Sequence, residues 1–149
     1  GAVSIYVPDI GAVQAAPVAS DVAGSRDRWL GLAQQGDDTI IYFSIYVQNG
    51  DDHRLVGQIF LHDYDRDQQA SLIGYHLFQP QDRGRGIGTI ALRLLIQYVS
   101  AETQIRRLTI ITDQENHASQ RIAEKCGFVY IGPAREGLPL ICYEWQRTS

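Results

Sequence analysis

The chain has 149 residues, 44% hydrophobic and 20% charged, with 13 Lys and Arg against 17 Asp and Glu. That length and balance suit one globular domain, read as residues 1–149, and exclude a disordered or fibrous chain. The net charge of −4 gives no electrostatic basis for nucleic-acid binding, which needs clustered Lys and Arg. No apolar run approaches the roughly 18 residues of a membrane span, so no membrane partner is expected. Cys126 and Cys142 stand far apart and outside any ligand-spaced cluster, so they read as free thiols in a reducing compartment, with no metal site. A cytoplasmic location is the expectation, and Gly1, in a chain without Met, reads as a processing remnant.

In chain order, a short strand is expected at residues 3–7. Residues 11–24, rich in Ala, Val, Gly and Pro, show neither helical period nor strand alternation. A helix over residues 25–35 follows, capped by Ser25, with Trp29, Leu30, Leu32 and Ala33 on its apolar face, and Gly36-Asp37-Asp38 ends it. Residues 39–47 are rich in Ile, Tyr, Phe and Val and run into the turn Asn49-Gly50-Asp51-Asp52, which predicts a hairpin with a partner strand at 55–62. A further strand at 70–78 completes three successive antiparallel strands.

After Pro80 comes a glycine-rich loop, then a helix over residues 87–100 that is apolar almost all round. Only Arg93, Gln97 and Ser100 make a polar stripe, which implies burial on most sides. A strand at 107–112, a helix at 117–126 closed by Gly127, and strands at 128–131 and 140–145 complete the chain. This order is neither regular alternation nor all-β. It specifies an α+β (mixed α/β) fold with a mostly antiparallel sheet of six or seven strands flanked by helices.

The segment Arg83-Gly84-Arg85-Gly86-Ile87-Gly88-Thr89 joins a strand directly to a helix N-terminus. Glycines let the backbone approach an anion and turn N–H groups inward, the helix end adds unpaired donors and a positive dipole, and Arg83 and Arg85 add mobile charge. The plainer alternative is a tight turn whose glycines ease packing. A Walker loop is excluded because Ile87-Gly88-Thr89 lacks the required Lys. The dinucleotide fingerprint fits poorly, because the spacing here is G-x-G-x-G after an antiparallel meander.

The Arg-Gly-Arg-Gly-Ile-Gly string resembles the (Gln/Arg)-x-x-Gly-x-(Gly/Ala) signature of the GNAT superfamily. Downstream, Asn116-His117-Ala118-Ser119 continuing through Glu124-Lys125-Cys126-Gly127-Phe128 is similar to the Asn-x-x-Ser…Glu-Lys-x-Gly-Phe segment of its ribosomal-protein-alanine acetyltransferase-like branch. The resemblance covers residues 39–145. It implies a splayed sheet with acetyl-CoA wedged between the strand before the glycine loop and the strand before Asn116. It further implies Leu77 and Phe78 beside the acetyl group, the amides of Gly84 to Thr89 on the pyrophosphate, Asn116 on the pantetheine arm, and Ser119 near the thioester sulfur. The implied activity is N-acetyl transfer to an amine-bearing acceptor, without a metal; a homodimer is left open.

The residues themselves bear on these roles. Ser119, Ile122, Ala123 and Cys126 share one helical face, so the Ser119 hydroxyl points toward the apolar side, where its plainer reading is a bond to a backbone carbonyl. Asn116 also reads as a helix N-cap. Family members often carry a general-acid Tyr where this chain has Ala123, which shifts the acid role to Ser119. Positions that carry a carboxylate base in other members hold Leu72 and Ile111. His76, on one strand face with Phe78, becomes the candidate for moving the amine proton, beside a plainer reading as a cleft-wall His; His62, Asp63 and Asp113 are further candidates. Tyr42, Tyr46, Tyr75 and Tyr143 read as core or cleft-lining residues. Two rivals follow: a catalytically silent acetyl-CoA-binding regulatory domain, and a nucleotide-binding protein using the same loop.

Overall fold

The computed structural model describes residues 3–7, 11–17 and 41–148. Strands β1 (Val3–Val7), β2 (Gly11–Pro17), β3 (Ile41–Asn49), β4 (Asp52–Asp65) and β5 (Ala70–Leu77) form an antiparallel meander. Helix α1 (Ile87–Glu102), strand β6 (Arg107–Asp113), helix α2 (His117–Lys125) and strands β7 (Val129–Pro133) and β8 (Leu140–Gln146) follow. The sheet order is β1-β2-β3-β4-β5-β6-β8-β7, and only the β5–β6 pairing is parallel. Among the described residues the sheet has eight strands, one more than the sequence indicates. The addition is β2, and the expected helix at residues 25–35 lies outside the described residues.

The local chemistry explains these elements. The β3–β4 hairpin closes with Asn49 opposite Asp52 and Gly50 at φ 62, a left-handed position that glycine adopts without penalty. Alternation along β3 and β4 buries Phe43, Ile45, Val47, Ile59 and Leu61 on one face. Helix α1 lies against that face: Ile87, Ala91, Leu92, Leu94, Leu95 and Val99 are buried, while Arg93, Gln97 and Ser100 are exposed. The carbonyls in its last turn and just past it are met from the far end of the chain, where Arg147 donates to the oxygens of Val99, Ser100, Thr103 and Ile105 at 2.9–3.3 Å.

Helix α2 carries a cap at each end. The Asn116 side chain accepts from the Ser119 amide at 3.1 Å. At the other end Gly127 has φ 86, its N–H donates to Glu124 O at 3.1 Å, and the Phe128 N–H donates to Ala123 O at 3.0 Å. That pair of bonds is a Schellman motif, and it turns the chain so that Phe128 enters the core. Among the described residues no helix is long and apolar enough to cross a membrane.

Candidate active site

A parallel ladder ends early at the centre of the sheet. Strands β5 and β6 pair from Ala70↔Arg107 to Ile73↔Ile110, and then stop, although both run on, to Leu77 and Asp113. The two strands therefore part, and β5 keeps its partner only on the β4 side. The Phe78 N–H donates to Val56 O at 2.8 Å, which fixes the direction of every backbone group before it. By strand alternation the N–H and C=O of His76 also turn toward β4, while those of Tyr75 and Leu77 face the opening. Of the two residues expected to offer backbone groups there, Leu77 has an amide facing the opening and Phe78 has an amide already engaged. The Phe78 side chain is exposed, as is His76.

The glycine loop leaves the same end of β5. A short turn, Pro80–Asp82, precedes Arg83. Gly84 and Gly86 have φ 74 and 87, and a Cβ at either would meet no atom within 4 Å. Their conformation, not crowding, requires glycine, and the loop surface is open to an approaching anion. Gly86 caps α1 without a side-chain bond, so the first amides of the helix, from Ile87, Gly88 and Thr89, keep donors that no cap consumes. The Ile87 side chain is buried in the core and Thr89 is largely buried, so both would act through their backbone. A Cβ on Gly88 would stand 3.0 Å from Ile122 Cδ1, so this third glycine serves the close approach of α1 to α2. Arg83 and Arg85 are exposed.

Sequence reasoning missed the anchor of this loop. Asp82 has no exposed surface, and its two carboxylate oxygens each accept from Arg54 at 2.9 Å. The Arg54 guanidinium holds the Asp82 carboxyl below the usual carboxylate range, chiefly through this hydrogen bond. A readable signal existed: a lone carboxylate beside an anion-binding loop repels the ligand unless a cation neutralises it.

On the other wall, Ser119 sits in the first turn of α2, and its Oγ lies 2.9 Å from the Tyr75 hydroxyl. This bond links β5 to the segment after β6, across the opening. The plainer reading, a bond from Ser119 to a backbone carbonyl, is not what the structure has. Burial raises the Tyr75 phenol above its ordinary value, partly offset by the Ser119 contact and reinforced by Cys126. Asn116 caps α2 with its side-chain oxygen, which leaves its NH2 group for a ligand.

His76 lies on the opposite face of β5, away from α1 and α2. Its ring centroid is 5.2 Å from that of Phe78 and 6.4 Å from that of Phe60. Phe60 in turn covers Gly74, where a Cβ would fall 2.3 Å from the ring. The two catalytic candidates, Ser119 and His76, are thus not in one cluster; they flank the opening from its two faces. His62 Nδ1 bonds Asp63 at 2.7 Å, and Asp113 caps a turn by accepting from the Glu115 amide at 2.8 Å. Leu72 is half-buried and Ile111 exposed, and as aliphatic side chains neither offers a base. No group of His, Cys, Asp and Glu suited to a metal ion occurs among the described residues.

Comparison with known proteins bears on the family and the fold. Residues 9–129 match the family model described as Acetyltransferase (GNAT) domain. The provisionally named ribosomal N-acetyltransferase YdaF of Bacillus subtilis (strain 168) is 37% identical over 87 residues, 58% of this chain and 47% of that protein. The chain spans about half the length of the curated relatives it matches. Ribosomal-protein-S5-alanine acetyltransferase from Vibrio fischeri superposes with a TM-score of 0.72 at 18% identity, covering 99% of this chain and 98% of that one. A ribosomal L7/L12 alpha-N-protein acetyltransferase in complex with coenzyme A gives 0.68 at 19% identity, covering 97% and 98%. At these identities the two structures bear on the fold, and the family match on descent. The chain belongs to the GNAT acetyltransferase family.

Proposed function

We propose that this chain transfers an acetyl group from acetyl-CoA to a primary amine, a small amine or a peptide N-terminus, by direct attack in a ternary complex. The observation that carries this reading is the parting of β5 from β6 after Ile73↔Ile110, with the glycine loop leaving the end of the same strand. A thioester laid in that opening meets the Leu77 amide, a donor suited to a carbonyl oxygen that becomes negative in the transition state. The amides from Gly84 to Thr89 and the Arg83 and Arg85 side chains suit a pyrophosphate. The Asn116 NH2 suits an amide of the pantetheine arm.

The flanking positions of Ser119 and His76 fit the proton traffic of such a reaction. An acceptor amine must lose a proton and the departing thiolate must gain one. His76 and water on the open face serve the first need, and the Ser119 hydroxyl on the helix face serves the second. The ribosomal names of the relatives favour a peptide N-terminus as acceptor, and the free thiols of Cys126 and Cys142 suit a reducing, cytoplasmic setting.

The test mixes the chain with acetyl-CoA and, separately, hexapeptides beginning with Ala, Ser or Met, and spermidine. Thiol release and an acetyl mass gain on the acceptor are followed together. Turnover with any of them supports the reading. Binding of acetyl-CoA with no turnover across a broad amine panel would point to a cofactor-sensing domain, and absence of binding would overturn the proposal.

A further inference from the structure

We propose that Tyr75 is a positioning residue for the acetyl-transfer step: its phenol donates to Ser119 Oγ, turns the Ser119 proton toward the opening between β5 and β6, and resupplies it. The inference rests on the acetyl-transfer reading above and extends it to a residue that the sequence places only in a strand.

Three observations carry it. The hydroxyl oxygens lie 2.9 Å apart, and the residues come from opposite walls of the opening, 44 positions apart in sequence. The Tyr75 ring packs against the core, and among the described residues its hydroxyl has one polar partner, Ser119. A phenol in that position spends its proton on the acceptor it has, because a half-buried O–H without one is costly. Ser119 Oγ then receives, and its own O–H turns away from Tyr75, with no backbone carbonyl of α2 claiming it. Finally, the fully buried Ala123 means that α2 contributes no phenol here, and β5 delivers one to that helix from outside.

A serine alcohol alone is a poor proton donor, because its alkoxide is far less stable than the thiolate it would protonate. A phenol behind it narrows the gap, since its ordinary pKa of about 10 stands far nearer the value of about 8.5 for a thiol than an alcohol's does, although burial of Tyr75 works against part of that gain. The balance is as follows. The amine nitrogen attacks the thioester carbon, the ammonium proton leaves toward the His76 face, and the tetrahedral intermediate expels sulfur with the C–S electron pair. Sulfur takes the Ser119 proton as Ser119 takes the Tyr75 proton, and Tyr75 is reprotonated by water before the next turnover. Burial holds Tyr75 protonated beyond the neutral range, so the proton is present whenever the thioester is.

The experiment compares wild type, Tyr75→Phe, Ser119→Ala and the double variant, with acetyl-CoA and an Ala-initiated hexapeptide. Removing the phenol is expected to lower kcat on the order of 10²-fold with unchanged KM for acetyl-CoA. The double variant should be no slower than Ser119→Ala alone, as residues in one relay are non-additive. The readout that packing alone would not move is the proton inventory in mixed light and heavy water: bowed in wild type, linear in Tyr75→Phe. If Tyr75→Phe does not fold, Ser119→Ala breaks the same relay from its other end and must show the linear inventory. Wild-type kcat in Tyr75→Phe, or fully additive losses, would overturn the relay while leaving acetyl transfer intact. A wild type that binds no acetyl-CoA would overturn both.

Discussion

Replacing Arg54 with Leu tests the loop anchor. The substitution leaves the Asp82 carboxylate, with no exposed surface of its own, without the two 2.9 Å bonds that satisfy it. Breaking a buried pair by removing one partner costs about 3–5 kcal/mol. Arg54 is itself 42% exposed, so water reaches the vacated site, and a loss of about 1.5–3 kcal/mol is expected. The sign with pH follows from Asp82. Its folded pKa lies below the unfolded value of about 3.9, so the pair stabilises fully above that value and is lost as pH falls through the folded pKa. In the variant the stranded carboxyl prefers its proton. The gap between the two proteins is therefore widest near neutral pH and narrows in acid. Urea unfolding at pH 7 and at pH 4 measures it, and replacing both partners by Leu should recover much of the loss at pH 7. A loss below about 0.5 kcal/mol at pH 7, the size of an ordinary surface substitution, or a gap that widens in acid, would refute the reasoning.

Two further changes read single features of the fold. Asn116→Ala removes the acceptor for the Ser119 amide and should cost about 1 kcal/mol in urea unfolding, while also weakening acetyl-CoA binding; a binding loss without a stability loss would separate the two roles. Arg147→Ala removes a donor from the carbonyls of Val99 and Ser100 in the last turn of α1 and of Thr103 and Ile105 just past it, with Val99 keeping the bonds from Thr103, and should cost about 1–3 kcal/mol, with acetyl-CoA affinity unchanged. Wild-type stability in that variant would mean water caps the helix equally well.

Much of this architecture is legible in the sequence because local and global preferences agree. The helix from Ile87 is announced by its glycine loop, its apolar breadth and its polar stripe, and Gly127 marks the end of α2 by the conformation only a glycine adopts cheaply. Strand β2 is not legible: Gly11, Ala12, Ala15, Ala16 and Pro17 carry little strand propensity, and the pairing of β2 with β1 and β3 overrides it. Strand β4 runs to Asp65, past the expected end at residue 62, through a bulge where Asp63 takes φ 51. Its polar residues imitate a turn because the irregularity is real.

The site divides in the same way. Cofactor-loop residues are contiguous, so spacing alone brings them together. The Tyr75–Ser119 and Arg54–Asp82 contacts join residues 44 and 28 positions apart, through a sheet order that periodicity does not specify. His76 and Ser119 were both nameable from the chain, but that they lie on opposite sides of β5 follows from the Tyr75–Ser119 contact, which puts α2 on the face that His76 turns away from.

Calorimetric titration with acetyl-CoA and with CoA, on the wild type and on Gly86→Glu, tests the central claim most directly. Gly86 sits at φ 87 at the head of α1 with open space where a side chain would begin, so Gly86→Glu places a carboxylate at the proposed pyrophosphate site. The account predicts binding of both ligands by the wild type, about 10 μM or tighter on the usual scale of enzyme substrates, and its loss in Gly86→Glu. Wild type that binds neither ligand, or a Gly86→Glu variant that binds both as tightly as wild type, would contradict it.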